Sequence, residues 1–209
     1  MTASALIVDW GGVLTNEVSD CADAFCAAHD IDPVHYDDVL GTWTGPEAAG
    51  GNPIHLLERG ELTEPEFERA LAERLHTRAG AAVAAEGLLA RLFAGTRREP
   101  TMVSLVRRMH GDGIRTALLS NSWGMSAYDR ASWAELFDVI VLSGEVGMRK
   151  PDPDIYLHTA AQLSVPPSHC VFVDDLLLNV RGATAAGMVG VHHASAAATA
   201  AELAVLFDT

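Results

Sequence analysis

The chain has 209 residues, enough for one domain, or for a core domain carrying an inserted subdomain, with a sizeable buried core. Its formal charge of −14 argues against nucleic acid as a partner, because binding a phosphate backbone needs a basic face. Apolar residues make up 49% of it without an uninterrupted run of about 18, which argues against a membrane span, and an odd set of three cysteines argues against a disulfide framework.

In chain order, the opening "MTASALIVDW" enters a strand at once, over Ala5–Asp9. It has no basic segment and no long apolar segment of the kind a secretory leader needs, so a cytoplasmic location is expected. The strand delivers Asp9 to its end, followed by Trp10 and the pair Gly11-Gly12. Residues 16 to 95 then read as wholly helical, over Ser19–His29, Pro33–Leu40, Ile54–Arg59, Thr63–Arg78 and Ala82–Phe93. Thr63-Glu64-Pro65-Glu66 fits a capping box with proline in the first turn, and Gly60 and Gly80 stand where helices should stop. The stretch "GTWTGPEAAGGNP", residues 41 to 53, is a long loop, readable as a plain connector or as a substrate-facing segment.

A helix over Pro100–His110 leads to a second strand, Thr116–Ser120. Beyond it the helix Ser126–Ala134, the strand Val139–Leu142, the helix Pro153–Leu163 and the strand Cys170–Asp174 alternate. The helix Leu177–Ala186, the strand Val189–His192 and the helix Ala197–Phe207 complete the chain. Short apolar strands alternating with helices predict an α/β fold with a doubly wound parallel sheet. Its core takes residues 1–15 and 96–209, and an all-helical unit, 16–95, is inserted between strands 1 and 2.

Open α/β sheets bind ligands beyond the carboxyl ends of their strands. This chain places there Asp9, then Ser120-Asn121-Ser122, then "GMRKPDPDIY" with Lys150, then Asp174-Asp175. Lys150 is the one lysine in a chain with thirteen arginines. A carboxylate, a hydroxyl–amide pair, a lysine and an acid pair on one edge suit a divalent metal and a phosphoryl group. Asp9 is placed to attack phosphorus. Asp9, the Gly11 carbonyl, Asp174 and Asp175 are the candidate oxygen ligands for Mg²⁺. Ser120, Asn121 and the backbone N–H groups of the glycine turn, Gly12 among them, are candidates for bonding phosphoryl oxygens. Lys150 can hold both Asp9 and the phosphoryl charge. Alternatives stay open: Asp174-Asp175 also suits a helix N-terminus, Trp10 is a packing residue or a wall of the site, and Arg149 reads as an exposed cation.

"VDWGGVL", "LLSNS", "GMRKPDPDIY" and "VFVDDLLLN" resemble, in order and spacing, the four motifs of the haloacid dehalogenase superfamily. The helical unit resembles that superfamily's C1 cap. "RGELTEPEFERAL" is similar to a cap segment of its phosphatase-like branches, including the phosphatase domain of soluble epoxide hydrolases. The resemblance implies a Rossmann-like core, a mobile cap and Mg²⁺-dependent phosphoryl transfer from a small phosphorylated metabolite. It implies Asp9 as nucleophile, Ser120 and Lys150 as phosphate binders, Asp174 and Asp175 as the metal pair, and Asn179 in support. Phosphatases of the family usually carry aspartate two places after the nucleophile as general acid and base; this chain has Gly11. Loss of such a group costs roughly 10²–10⁴ in rate but leaves nucleophile, metal and lysine. Glu17, in the hinge to the cap, is a candidate replacement beside its reading as a solvated residue.

Rival readings are a non-catalytic binding or regulatory module, a metal-free 2-haloacid dehalogenase, and a phosphonate hydrolase. The acid pair Asp174-Asp175 opposes the dehalogenase, since it would repel a substrate carboxylate. The phosphonate hydrolase requires a cap lysine that residues 16–95 lack. Monomer and homodimer are equally compatible with the sequence.

Overall fold

Strands covered by helices on both faces need apolar residues at nearly every position, and the five short apolar segments supply them. The computed structural model describes residues 3–44, 51–124 and 133–208. Its strands are β1 (Ala5–Val8), β2 (Arg115–Ser120), β3 (Val139–Leu142), β4 (Cys170–Asp174) and β5 (Val189–His192). All pair in parallel, in the order β3-β2-β1-β4-β5. This is the doubly wound α/β architecture, and its winding reverses between the central strand, β1, and its neighbour β4.

After β1 the described residues form α1 (Val18–Ala28), α2 (Pro33–Thr44), α3 (Pro53–Glu58), α4 (Glu64–Ala72) and α5 (Leu88–Leu92), and α6 (Pro100–Gly111) then leads into β2. The remaining helices are the single turn α7 (Ser143–Val146), α8 (Pro153–Leu163), α9 (Leu177–Ala185) and α10 (Ala196–Leu206). The two-residue alternation of the strands divides their side chains between two clusters. Leu6, Val8, Leu118 and Val173 pack under α6 and α10, while Ile7, Leu119 and Phe172 pack under α8 and α9. The helices α1–α5 bury a third cluster of their own, including Phe25, Trp43, Phe67 and Leu71. No helix among the described residues is long and apolar enough to cross a membrane.

The expected helix over 63–78 ends at Ala72. The capping box forms at its start, where the Thr63 N–H donates to the Glu66 carboxylate at 2.9 Å. Its sequence favours helix further on, but the backbone there is claimed by neighbours: Thr77 N–H bonds Ala81 O at 2.9 Å and Arg78 N–H bonds Asp30 O at 2.7 Å. The expected helix over 82–93 contracts to Leu88–Leu92 for a similar reason. The Glu68 carboxylate of α4 accepts the N–H groups of Gly87 (3.1 Å) and Leu89 (2.9 Å), which fixes where α5 begins. The expected helix Ser126–Ala134 lies outside the described residues except at its last two positions, as do residues 45–50 of the long loop.

The chain leaves and re-enters the sheet side by side. Thr15 bridges Arg98, Asn16 N–H bonds Arg97 O at 2.9 Å, and Glu99 N–H bonds Leu14 O at 2.8 Å. Phe67 joins the helical cluster to the loop after β2, meeting Trp43 and Trp123 edge-on at ring separations of 5.6 and 5.5 Å. It is fully buried. Phe67→Ala is expected to cost about 3–5 kcal/mol, measured by urea denaturation followed by circular dichroism.

Candidate active site

The register of the sheet assembles the first part of the site. Val8 pairs with Val173, and the Asp9 N–H bonds Val173 O at 3.0 Å, so Asp9 and Asp174 leave neighbouring strands at the same level. They emerge where the winding reverses, the position at which open sheets form a crevice. Both are buried, at 8% and 0% exposure. Two like charges in that position require a cation between them. Lys150, 1% exposed, supplies it: Nζ lies 2.8 Å from Asp9 Oδ1 and 2.7 Å from Asp174 Oδ2.

Each member is braced. Asp9 Oδ1 also accepts the Trp10 N–H at 2.7 Å. Asp174 accepts the Leu176 N–H at 2.8 Å, and the Asn179 amide donates to both its oxygens at 3.1 Å. Asn179 is itself buried and takes the Tyr156 hydroxyl on its carbonyl at 2.8 Å. The Asn121 side chain clamps the lysine backbone, accepting Lys150 N–H at 2.8 Å and donating to Lys150 O at 3.0 Å. Ser120 ends β2, buried on the same edge.

Asp175 completes the acid cluster. One oxygen from each of Asp9, Asp174 and Asp175 lies within 4.8 Å of the others. Gly12 makes this possible: its φ of +71° suits glycine, and a Cβ there would stand 2.3 Å from Asp175 Oδ2. The Gly12 N–H is directed to Asn16 O at 3.3 Å, within the turn. At Gly11 a Cβ would meet Val18 Cγ2 at 3.1 Å, so the side of the turn where an acid would stand is bordered by the start of α1.

The electrostatics follow from burial. Burial pushes the Asp9 carboxyl up to about 7, Lys150 opposing the shift and Asp174 adding to it. Burial, with the Asp174 charge, raises Asp175 to about 6. For Lys150 burial favours the neutral amine, but Asp9 and Asp174 outweigh it and hold the ammonium above its ordinary range. Three carboxylates against one lysine leave an excess of negative charge at the strand ends. An all-carboxylate oxygen set of this kind fits a hard divalent cation such as Mg²⁺.

Other expectations fare unevenly. Arg149 is not an exposed cation: its Nε lies 2.6 Å from Glu58 Oε2, with the two side chains only 16% and 8% exposed. The Trp123 indole N–H donates to the other Glu58 oxygen at 3.1 Å. Charge alone could not reveal this pair, because Glu58 lies 91 positions away on α3. Trp10 packs on Trp133 at a ring separation of 4.9 Å. Glu17 is exposed at the start of α1 and accepts the Ser19 hydroxyl at 3.1 Å. All three cysteines are free and buried.

A family model described as haloacid dehalogenase-like hydrolase matches residues 3–187. The sesquiterpene phosphatase astK of Aspergillus oryzae is 37% identical over 111 residues, 51% of this chain and 56% of that protein. The drimenol cyclase drtB of Aspergillus calidoustus is 34% identical over 171 residues, 74% of this chain and 32% of that protein. The chain thus spans about half, or less, of the length of these curated relatives. Among solved structures, a HAD family enzyme of Bacteroides thetaiotaomicron, in complex with magnesium and inorganic phosphate, shares the fold at a TM-score of 0.67 and 20% identity, covering 91% of this chain and 93% of that one.

An acid raised from 3.8 to about 7 on folding binds more protons in the folded chain, so it opposes folding increasingly as pH rises between those values. Asp9→Asn is therefore expected to stabilise the protein in EDTA more at pH 8 than at pH 5, measured by urea denaturation at both.

Proposed function

The chain belongs to the haloacid dehalogenase-like hydrolases, and we propose that it is a Mg²⁺-dependent phosphatase that works through an aspartyl-phosphate on Asp9. The observation that carries this reading is the buried Asp9–Lys150–Asp174 chain, with a carboxylate oxygen of Asp175 within 4.8 Å of one from each acid. The phosphatases among the relatives support it as well. Residues 1–15 and 96–209 act as the catalytic core and 16–95 as a cap over its carboxyl edge.

Asp9, Asp174 and Asp175, with the Gly11 carbonyl, would hold Mg²⁺. The bound cation supplies charge compensation, so that an anionic phosphoryl group can approach a carboxylate. Asp9 attacks phosphorus, forming a P–O bond as the bond to the leaving alkoxide breaks; water then cleaves the acyl phosphate and releases inorganic phosphate. Lys150 keeps Asp9 oriented and offsets charge on the phosphoryl oxygens. Ser120, Asn121 and the turn at Gly12 border the same space, with Asn121 acting chiefly by fixing the lysine backbone. The three acids speak against attack on a haloacid, whose carboxylate they would repel.

Gly11 restricts the chemistry. With no acid two places after the nucleophile, the leaving group departs largely unassisted, so acyl and aryl phosphates should react best. The wild type is expected to release phosphate from acetyl phosphate with Mg²⁺ and not with EDTA, and Asp9→Asn to abolish the reaction. No turnover at high enzyme concentration overturns the reading in favour of a binding module. Gly11→Asp has room if the half-exposed Val18 shifts by a few tenths of an ångström. It is expected to raise kcat on alkyl phosphates, with their poor leaving groups, by on the order of 10².

A further inference from the structure

An ester whose phosphoryl group lies among Asp9, Asp174 and Asp175 directs its organic part away from the carboxyl edge of the sheet. The side chains along that edge decide which organic parts are favoured. Eight large apolar side chains are exposed among the described residues. Four of them lie where the chain runs on from the site: Val18 (49% exposed) after the Asp9 turn, and Leu176, Leu177 and Leu178 (56%, 50% and 64%) after Asp174-Asp175.

The placement is tied to the acids themselves. The Leu176 N–H donates to Asp174 Oδ1, and Val18 Cγ2 borders Gly11. α9 turns Asn179, Val180 and Ala183 to the interior, and the leucines belong to none of the apolar clusters of the described residues. Exposed apolar side chains flanking a ligand site on both sides suit contact with something apolar. They offer no hydrogen bond to a sugar or polyol.

Resting on the phosphatase reading, we propose that Val18, Leu176, Leu177 and Leu178 form an apolar lip that receives the hydrocarbon part of the substrate. The favoured substrates are then phosphates with an alkyl, prenyl or alkylaryl body. Continuity with the acid cluster selects this occupant over a second copy of the chain. Four partly exposed side chains fall far short of the roughly 800 Å² per partner of a stable interface, and a net charge of −14 repels a like chain.

Phenyl, 4-butylphenyl and 4-octylphenyl phosphate test the proposal, since their leaving groups are nearly equal in acidity and differ in apolar surface. Each methylene wholly removed from water is worth about fourfold. A lip covering one side of the chain is expected to raise kcat/KM about tenfold from phenyl to 4-butylphenyl. Leu177→Ser combined with Leu178→Ser, both at exposed positions, should bring that ratio close to one. Turnover of phenyl phosphate with no gain from the alkyl chain overturns the lip and leaves the phosphatase reading intact. No turnover of phenyl or acetyl phosphate overturns both. A chain-length gain unchanged in the double variant, or a wild-type dimer by light scattering that the double variant dissolves, also overturns the lip.

Discussion

The Lys150 ammonium, buried between Asp9 and Asp174, is the contact on which the site depends. A lone ammonium or carboxylate taken out of water costs several kcal/mol, and two carboxylates side by side cost more. Placed between them, the ammonium makes both acids tolerable. Three acids with one cation still leave a surplus of negative charge, and burial, which Asp174 reinforces at both positions, keeps the Asp9 and Asp175 carboxyls raised. The site is thus tuned toward further positive charge, and a hard divalent ion is the species its oxygen donors suit.

Holding an ammonium in place requires its backbone to be held, and the chain does this twice. Asn121, at the end of β2, clamps the Lys150 peptide from both sides. Arg149, one residue earlier, is fastened to Glu58 on α3, which Trp123 also binds. The helical unit between β1 and β2 is thereby joined to the loop that carries the lysine. Displacing α3 would break a nearly buried ion pair next to the site. In the same region Gly60 comes so close to the Gly144 carbonyl that a Cβ would stand 2.4 Å from it.

Much of this was legible in the sequence because its signals are local. Short, mainly apolar segments marked β1 to β5, since a strand covered on both faces has little polar side to show. Acids and a serine at the ends of those runs marked the edge, because side chains at strand ends are the ones a doubly wound sheet leaves at its crevice. Helix lengths were less legible where distant partners set them. Glu68 decides where α5 begins, and Asp30 and Ala81 draw Arg78 and Thr77 out of helix. The Glu58–Arg149 pair was hidden for the same reason, as nothing near either residue names its partner.

The sequence by itself determined the α/β pattern, the helical stretch between the first two strands, and which residue types reach the carboxyl edge. These depend on periodicity and on chemistry carried within a few residues. Only the tertiary structure decided that Asp9 and Asp174 stand abreast, that one ammonium bridges them, and that Asp175 folds against Gly12. Strand order and register are settled by the packing of all the strands together, so distances across the sheet exist only once that packing is complete.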